Sequence, residues 1–160
     1  MSEKSREFRN ALGCFATGVT VVTTRDAEGA GVGLTANSFS SVSLDPPMVL
    51  WCIDKSSETY RAFMANDSFA INVLPFSGME VSQAMARPGD HRLDGIGYSE
   101  GAVTGMPVLD QALSVFECAV AHRYEGGDHI IIVGEVVGFT SVSEGDPLLY
   151  FRGRYASIGG

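Results

Sequence analysis

The chain has 160 residues, 45% of them hydrophobic and 19% charged, with a formal net charge of −8. That size and balance suit one globular domain over 1–160, large enough to bury a core without disulfides or a structural metal. The acidic excess makes nucleic acid and anionic membrane poor partners, and no apolar run approaches the ~18 residues of a spanning helix.

The opening MSEKSREFRN is charged and has no apolar centre, so it does not read as a signal peptide. Phe8, Leu12 and Phe15 then recur at helical spacing, which predicts an amphipathic helix over 5–16 ended by Gly18. Val19–Thr24 is rich in β-branched residues and predicts a strand. Turn residues at Asp26–Gly29 lead to a second strand over Gly31–Ala36, completing a hairpin. Asn37–Ser43 reads as a small polar loop, and Asp45-Pro46-Pro47 as a stop. Met48–Ile53 is a buried strand, and Ser56 and Ser57 suit the N-cap of a helix over Glu58–Asn66. Phe69–Leu74 is another buried strand and Gly78–Ala86 a short helix. Arg87–Met106 reads as a long loop, of the kind that is often functional. Two long strands, Leu113–Tyr124 and His129–Val142, flank Glu125–Asp128, and Leu148–Ile158 closes the chain as one strand. Without βαβ alternation this is a mainly antiparallel sheet, best relieved of its edges by closing into a barrel.

Some motifs speak for chemistry and some against it. Gly31-Val32-Gly33-Leu34-Thr35-Ala36 spells G-x-G-x-x-A, but its glycines lie inside a hairpin arm and no helix follows, so the dinucleotide fingerprint is rejected. Thr35–Ser43 carries five hydroxyls and one amide in nine residues. Such a stretch suits either a polar turn loop or a wall against which a flat heterocycle lies, its heteroatoms bonded by main-chain and side-chain donors. In Cys52–Thr59 a strand runs into hydroxyls and Lys55, one of only two lysines in the chain. This is either an ordinary helix start or a phosphate cradle. His129 follows a Gly-Gly-Asp turn and is either a structural donor or a group at a cleft mouth. Tyr150-Phe151-Arg152-Gly153 is either a terminal strand or a set of planes for stacking on a ring. Cys14, Cys52 and Cys118 form no CxxC pair and, being odd in number, read as reduced thiols of a cytoplasmic protein. The histidines lack zinc-ligand spacing, and no G-x-S-x-G elbow supports hydrolysis.

Taken together, several segments resemble the flavin-reductase-like family, which includes reductase components of two-component monooxygenases. They are Phe8–Gly13, Phe15–Thr24, Gly33–Phe39, Ser41–Ser43, Asp45–Pro47, Phe69–Leu74, Gly127–His129 and Pro147–Phe151. The resemblance implies an FMN-binding split β-barrel with a few short helices, forming a homodimer with each flavin near the subunit interface. It implies hydride transfer from NADH or NADPH to FMN or FAD, with reduced flavin passed to a partner monooxygenase. It places the isoalloxazine ring along Thr35, Ala36, Asn37, Ser38, Ser40 and Ser41. The ribityl-phosphate falls along Cys52, Ile53, Asp54, Lys55, Ser56, Ser57 and Thr59, and the flavin tail near Ala86 and Arg92. His129, as the candidate catalytic group, and Tyr150, Phe151, Arg152 and Gly153 would hold the nicotinamide nucleotide. The alternatives are a flavin-dependent reductase of another acceptor such as a corrinoid, a flavin-binding module without catalysis, and an interaction protein that binds no flavin.

Overall fold

A computed structural model describes residues 1–159. Helix α1 (Glu3–Leu12) leads into β1 (Thr17–Gly18), β2 (Thr20–Arg25), β3 (Gly31–Ala36), β4 (Ser40–Leu44) and β5 (Pro47–Asp54). Helix α2 (Tyr60–Ala65), β6 (Ser68–Val73), a 3-10 turn and α3 (Met79–Ala86) follow. Then come β7 (Tyr98–Glu100), β8 (Pro107–Leu109), β9 (Ser114–Gly126), β10 (His129–Ser141), β11 (Leu149–Phe151) and β12 (Arg154–Ala156).

The main sheet has seven strands in the order β3-β2-β6-β9-β10-β5-β4. All its pairings are antiparallel. Its two edge strands, β3 and β4, are joined by only Asn37–Phe39. Seven flat strands span roughly 29 Å, whereas that link covers at most about 15 Å. The sheet must therefore curl until its edges approach. They do not pair with each other, so the barrel stays open along one seam. The sheet does not close fully, and the architecture is the antiparallel split barrel that the resemblance implies.

The curl creates the interior. Val22 of β2 and Trp51 and Ile53 of β5 sit four places apart in the sheet yet share one cluster with Phe69, Cys118 and Ile132. Trp51 makes edge-to-face contacts with Phe63 and Phe69 at 4.8 and 6.1 Å between centroids. Phe39 closes the seam side by stacking on Phe116 at 5.7 Å. A second cluster, including Val21, Leu74, Met85, Leu93 and Leu148, lies on the other face of β2. Both faces of β2 are buried, which is why its sequence is a continuous β-branched run rather than an alternation.

Several boundaries differ from the sequence expectations. α1 stops at Leu12, capped by Gly13, and Phe8, Leu12 and Phe15 are exposed. Ser40–Leu44 is a strand, not loop, because pairing with β5 supplies the order its polar side chains do not. α2 begins at Tyr60, with Thr59 as N-cap and no side-chain cap bond. The reason is local: Asp54 captures the Ser56 amide at 2.7 Å and Ser57 bonds Thr59, so these side chains stabilise turns instead of the helix start. The long loop 87–106 includes β7, which pairs with β8. The expected terminal strand is two strands around Arg152-Gly153, both at positive φ (50° and 76°), a two-residue hairpin turn.

Candidate functional site

The β11–β12 hairpin docks on the main sheet through β1. Thr17 pairs with Tyr150, and the Arg152 amide donates to the Gly13 carbonyl at 2.8 Å. This leaves a cavity of about 670 Å³ between the end of α1 and the hairpin, lined in part by Arg9, Phe15, Asn37, Tyr150 and Arg152. A smaller cavity of about 190 Å³ adjoins it, lined in part by Thr35, Asn37, Ser82, Ala86, Tyr150 and Tyr155. Asn37 and Tyr150 belong to both walls. Asn37 is exposed, and its amide has no hydrogen-bond partner among the described residues. It offers both donors and acceptor to a ligand.

The rest of the 35–41 stretch divides in two. The Thr35 hydroxyl donates to the Ser82 carbonyl at 2.6 Å, fastening β3 to α3. Ser38 accepts from the Cys52 amide at 2.9 Å and donates to the Cys52 carbonyl, tying the seam loop to β5. Ala36 is half-buried at the end of β3, where its carbonyl accepts from Thr20. Ser40 and Ser41 stand exposed at the edge of β4. The Ser40 hydroxyl donates to the Ser41 carbonyl at 3.0 Å, and neither serine lines the two cavities, so Asn37 is the residue of this stretch that borders both.

In 52–59 most of the groups expected to meet a phosphate already have partners. Ser56 donates to Asp54, Ser57 and the buried Thr59 bond each other at 2.9 Å, and Lys55 pairs with Glu125. That Glu125 bond draws the Lys55 pKa above its ordinary value. The Ser56 hydroxyl and amide hold the Asp54 carboxyl below its usual range. Ile53 is fully buried in the barrel and paired with Ile130, so it offers a ligand no exposed surface. Burial pushes the half-buried Cys52 thiol up, partly offset by Ser38. Lys55 and Glu125 are surface groups whose attraction solvent screens, so Lys55 is easily reassigned.

His129 is half-exposed and lies opposite Asp54 in the β5–β10 register, which puts it beside the 52–59 segment. Its Nδ1 is 2.7 Å from Asp128 Oδ1, and its Nε2 has no partner among the described residues. The turn that carries it has Gly127 at φ 71°. The structure does not bring His129 into either cavity, so the two expected halves of the nucleotide site, His129 and Tyr150–Gly153, stand apart within one chain. Phe151 is exposed, with the Arg152 guanidinium 5.2 Å above its ring. Gly153 completes the turn. Ala86 is exposed on the smaller cavity's wall. Arg92 is not grouped with these residues. It is bridged to Val32 at the opposite end of β3 from Asn37 and paired with Asp26 at 3.4 Å.

Sequence reasoning missed three groups. Arg9 reaches the larger cavity from α1, Ser82 bonds the Tyr155 hydroxyl at 2.7 Å, and Glu58 accepts from the Gly89 amide at 3.0 Å, joining loop 87–90 to the 52–59 segment. Each is a non-local meeting without a local sequence signal. Among the described residues no cluster of metal-ligating side chains exists, and no helix is long and apolar enough to cross a membrane.

Comparison with known proteins agrees with this architecture. The chain is 46% identical over 153 residues to FMN reductase (NADH) SmoA of Agrobacterium fabrum, covering 96% of this chain and 86% of that protein. It is 42% identical over 152 residues to the reductase component of a flavin-dependent trigonelline monooxygenase from Acinetobacter baylyi, covering 95% of this chain and 48% of that one. The chain thus spans about half the length of that relative, as it does of a further one from Rhizobium meliloti. The structure of Streptomyces globisporus NADH:FAD oxidoreductase SgcE6 in complex with NAD and FAD fragments superimposes with a TM-score of 0.90 at 36% identity, covering 98% of this chain and 94% of that one. Residues 12–159 match the flavin reductase like domain, and the chain belongs to that family.

Proposed function

We propose that the protein is an NAD(P)H:flavin oxidoreductase that delivers reduced flavin to a partner monooxygenase in the cytoplasm. The observation that carries this reading is the 46% identity along nearly the whole chain to a relative named for NADH-dependent FMN reduction. The site supports it. The unpartnered Asn37 amide offers alternating donors and acceptor of the kind that a flavin's pyrimidine edge needs. A bound flavin supplies a hydride-accepting ring and the nicotinamide nucleotide supplies the hydride.

The chain's own residues then bind and orient. Asn37, Ser40 and Ser41 hold the ring along the seam, and Ala86 borders it. The ribityl-phosphate lies along 52–59, where Lys55 exchanges Glu125 for the phosphate. With its Nδ1 proton donated to Asp128, His129 presents a free Nε2 to the nicotinamide nucleotide. Tyr150 and the Arg152-Gly153 turn contact the rest of that nucleotide. The exposed apolar side chains on α1, and Val42, Leu44 and Phe139 on the sheet, support assembly as a homodimer. Such an assembly can also bring His129 and Tyr150–Gly153 of different copies together.

Anaerobic stopped-flow with each nucleotide against FMN and FAD tests the reading. Rapid loss of oxidised-flavin absorbance is expected. Flavin that binds but is not bleached by either nucleotide would reduce the protein to a flavin-binding module.

A further inference from the structure

The last strand, β12, is an edge strand that pairs only with β11 in the three-stranded order β1-β11-β12. Beyond that pairing, its one hydrogen bond to another element among the described residues joins the hydroxyls of Tyr155 and Ser82 of α3, 2.7 Å apart. Ser82 is fully buried, and Tyr155 is the only partner of its hydroxyl among the described residues. The main-chain carbonyl of the same serine accepts the Thr35 hydroxyl of β3 at 2.6 Å. One residue of α3 thus ties β12 on one side and β3 on the other. Each tie ends beside a residue of the site. Thr35 lies two residues before Asn37. Tyr155 stands opposite Tyr150 in the β11–β12 register, their rings edge-to-face with centroids 5.5 Å apart. Thr35, Asn37, Ser82, Tyr150 and Tyr155 all line the smaller cavity of about 190 Å³.

The Tyr155 ring packs against the apolar cluster that includes Leu74, Met85 and Leu148, so burying β12 does not require the hydroxyl. What the hydroxyl adds is direction. Opening the bond would leave the buried Ser82 hydroxyl unsatisfied, which holds β12 at one separation from α3. We propose that Ser82 and Tyr155 are positioning residues for hydride transfer, acting through Asn37 and Tyr150. Their bond sets the spacing between Asn37, which the reductase reading gives to the flavin, and Tyr150, which it gives to the nicotinamide nucleotide. The inference rests on that reading and gives a role to two residues that it leaves without one. Hydride transfer is sensitive to such spacing, because the donor carbon and the flavin nitrogen must approach to about 3–3.5 Å.

The test uses Tyr155→Phe, which removes one oxygen and keeps the ring, and Ser82→Ala, which keeps a strong helix former in α3. Anaerobic stopped-flow at saturating FMN and NADH reads the rate of flavin bleaching, and fluorescence quenching reads FMN affinity. Each single variant should bleach FMN about tenfold more slowly than the parent, with FMN affinity and the half-saturating NADH concentration within about twofold. The double variant should be no slower than the slower single, because all three lose the same bond. NADH carrying deuterium at both C4 positions should slow the variants by at least the factor it slows the parent, which marks hydride transfer as the affected step. An unchanged bleaching rate in Tyr155→Phe overturns the inference, and this variant decides alone if Ser82→Ala does not fold. Failure of Tyr155→Phe to fold makes the hydroxyl structural and overturns it too. So does an equal loss of FMN affinity, a loss of the isotope effect, or rate losses that multiply in the double variant. Parent protein that binds FMN without being bleached overturns the reductase reading itself and this inference with it.

Discussion

The barrel interior and the end bearing the candidate site are built from similar residues put to opposite uses. Inside, Trp51, Phe69 and Ile132 are sealed on all sides. At the other region, Phe8 and Leu12 of α1 and Phe15 just beyond it are left uncovered, beside arginines without ion-pair partners. An apolar pattern therefore announces a face but not what covers it. The interior is packed within one chain, although the buried Trp51 Nε1 finds no hydrogen-bond partner among the described residues. The site end leaves polar and apolar groups open to solvent. Substitutions should separate the two: interior changes cost stability, and changes at the site end cost binding.

The largest expected effect is Trp51→Ala. It removes a fully buried indole packed on Phe63 and Phe69 and should cost about 3–5 kcal/mol, read as a shift in urea midpoint. A loss under about 1 kcal/mol would mean that the interior is not closed as described.

The cysteines probe the same contrast chemically. Cys118 is buried, and burial with a smaller push from Glu117 raises its pKa to about 12. A raised thiol pKa means less thiolate, so alkylation falls as pH drops below that value. At pH 8 roughly one thiol in ten thousand is ionised. Native iodoacetamide labelling followed by mass spectrometry should find exposed Cys14 modified first and Cys118 only after denaturation. Equal labelling would place Cys118 outside the core.

A smaller effect is expected at His129. His129→Ala removes one orienting hydrogen bond of about 1–2 kcal/mol and should lower kcat/KM for NADH roughly five- to thirtyfold. Flavin affinity and the melting temperature should hold, because His129 is half-exposed at a turn. A lower melting temperature with intact NADH kinetics would make it a turn-stabilising residue instead. The smallest effect on chain stability is expected from Phe8→Ser, within about 0.5 kcal/mol, since 65% of that residue is exposed. Sedimentation should show the proposed dimer weakened. An unchanged dimer would remove α1 from the interface.

The strands with β-branched runs were legible because their residues declare a local preference: β3 over Gly31–Ala36 has the expected bounds, and β9 and β10 lie within a few residues of theirs. β4 was not, since Ser40–Leu44 is polar and is ordered by its neighbour β5. The start of α2 was misplaced because Asp54, Ser56 and Ser57 can serve either a helix cap or turns, and the choice between them is made by the end of β5. At the site, the Asn37 amide stands open. Thr35 and Ser38, of equal promise in sequence, spend their hydroxyls on α3 and β5.

By itself the sequence determined the strand-forming segments, the tight turns and the acidic character, because these depend on residue type and near neighbours. Only the tertiary structure decided the strand order, the open seam, the exposure of Phe8 and Leu12 and the meeting of Ser82 with Tyr155. These join positions as distant as the third helix and the last hairpin, and such meetings are set by how the curled sheet buries its two faces. No short window of sequence contains that information.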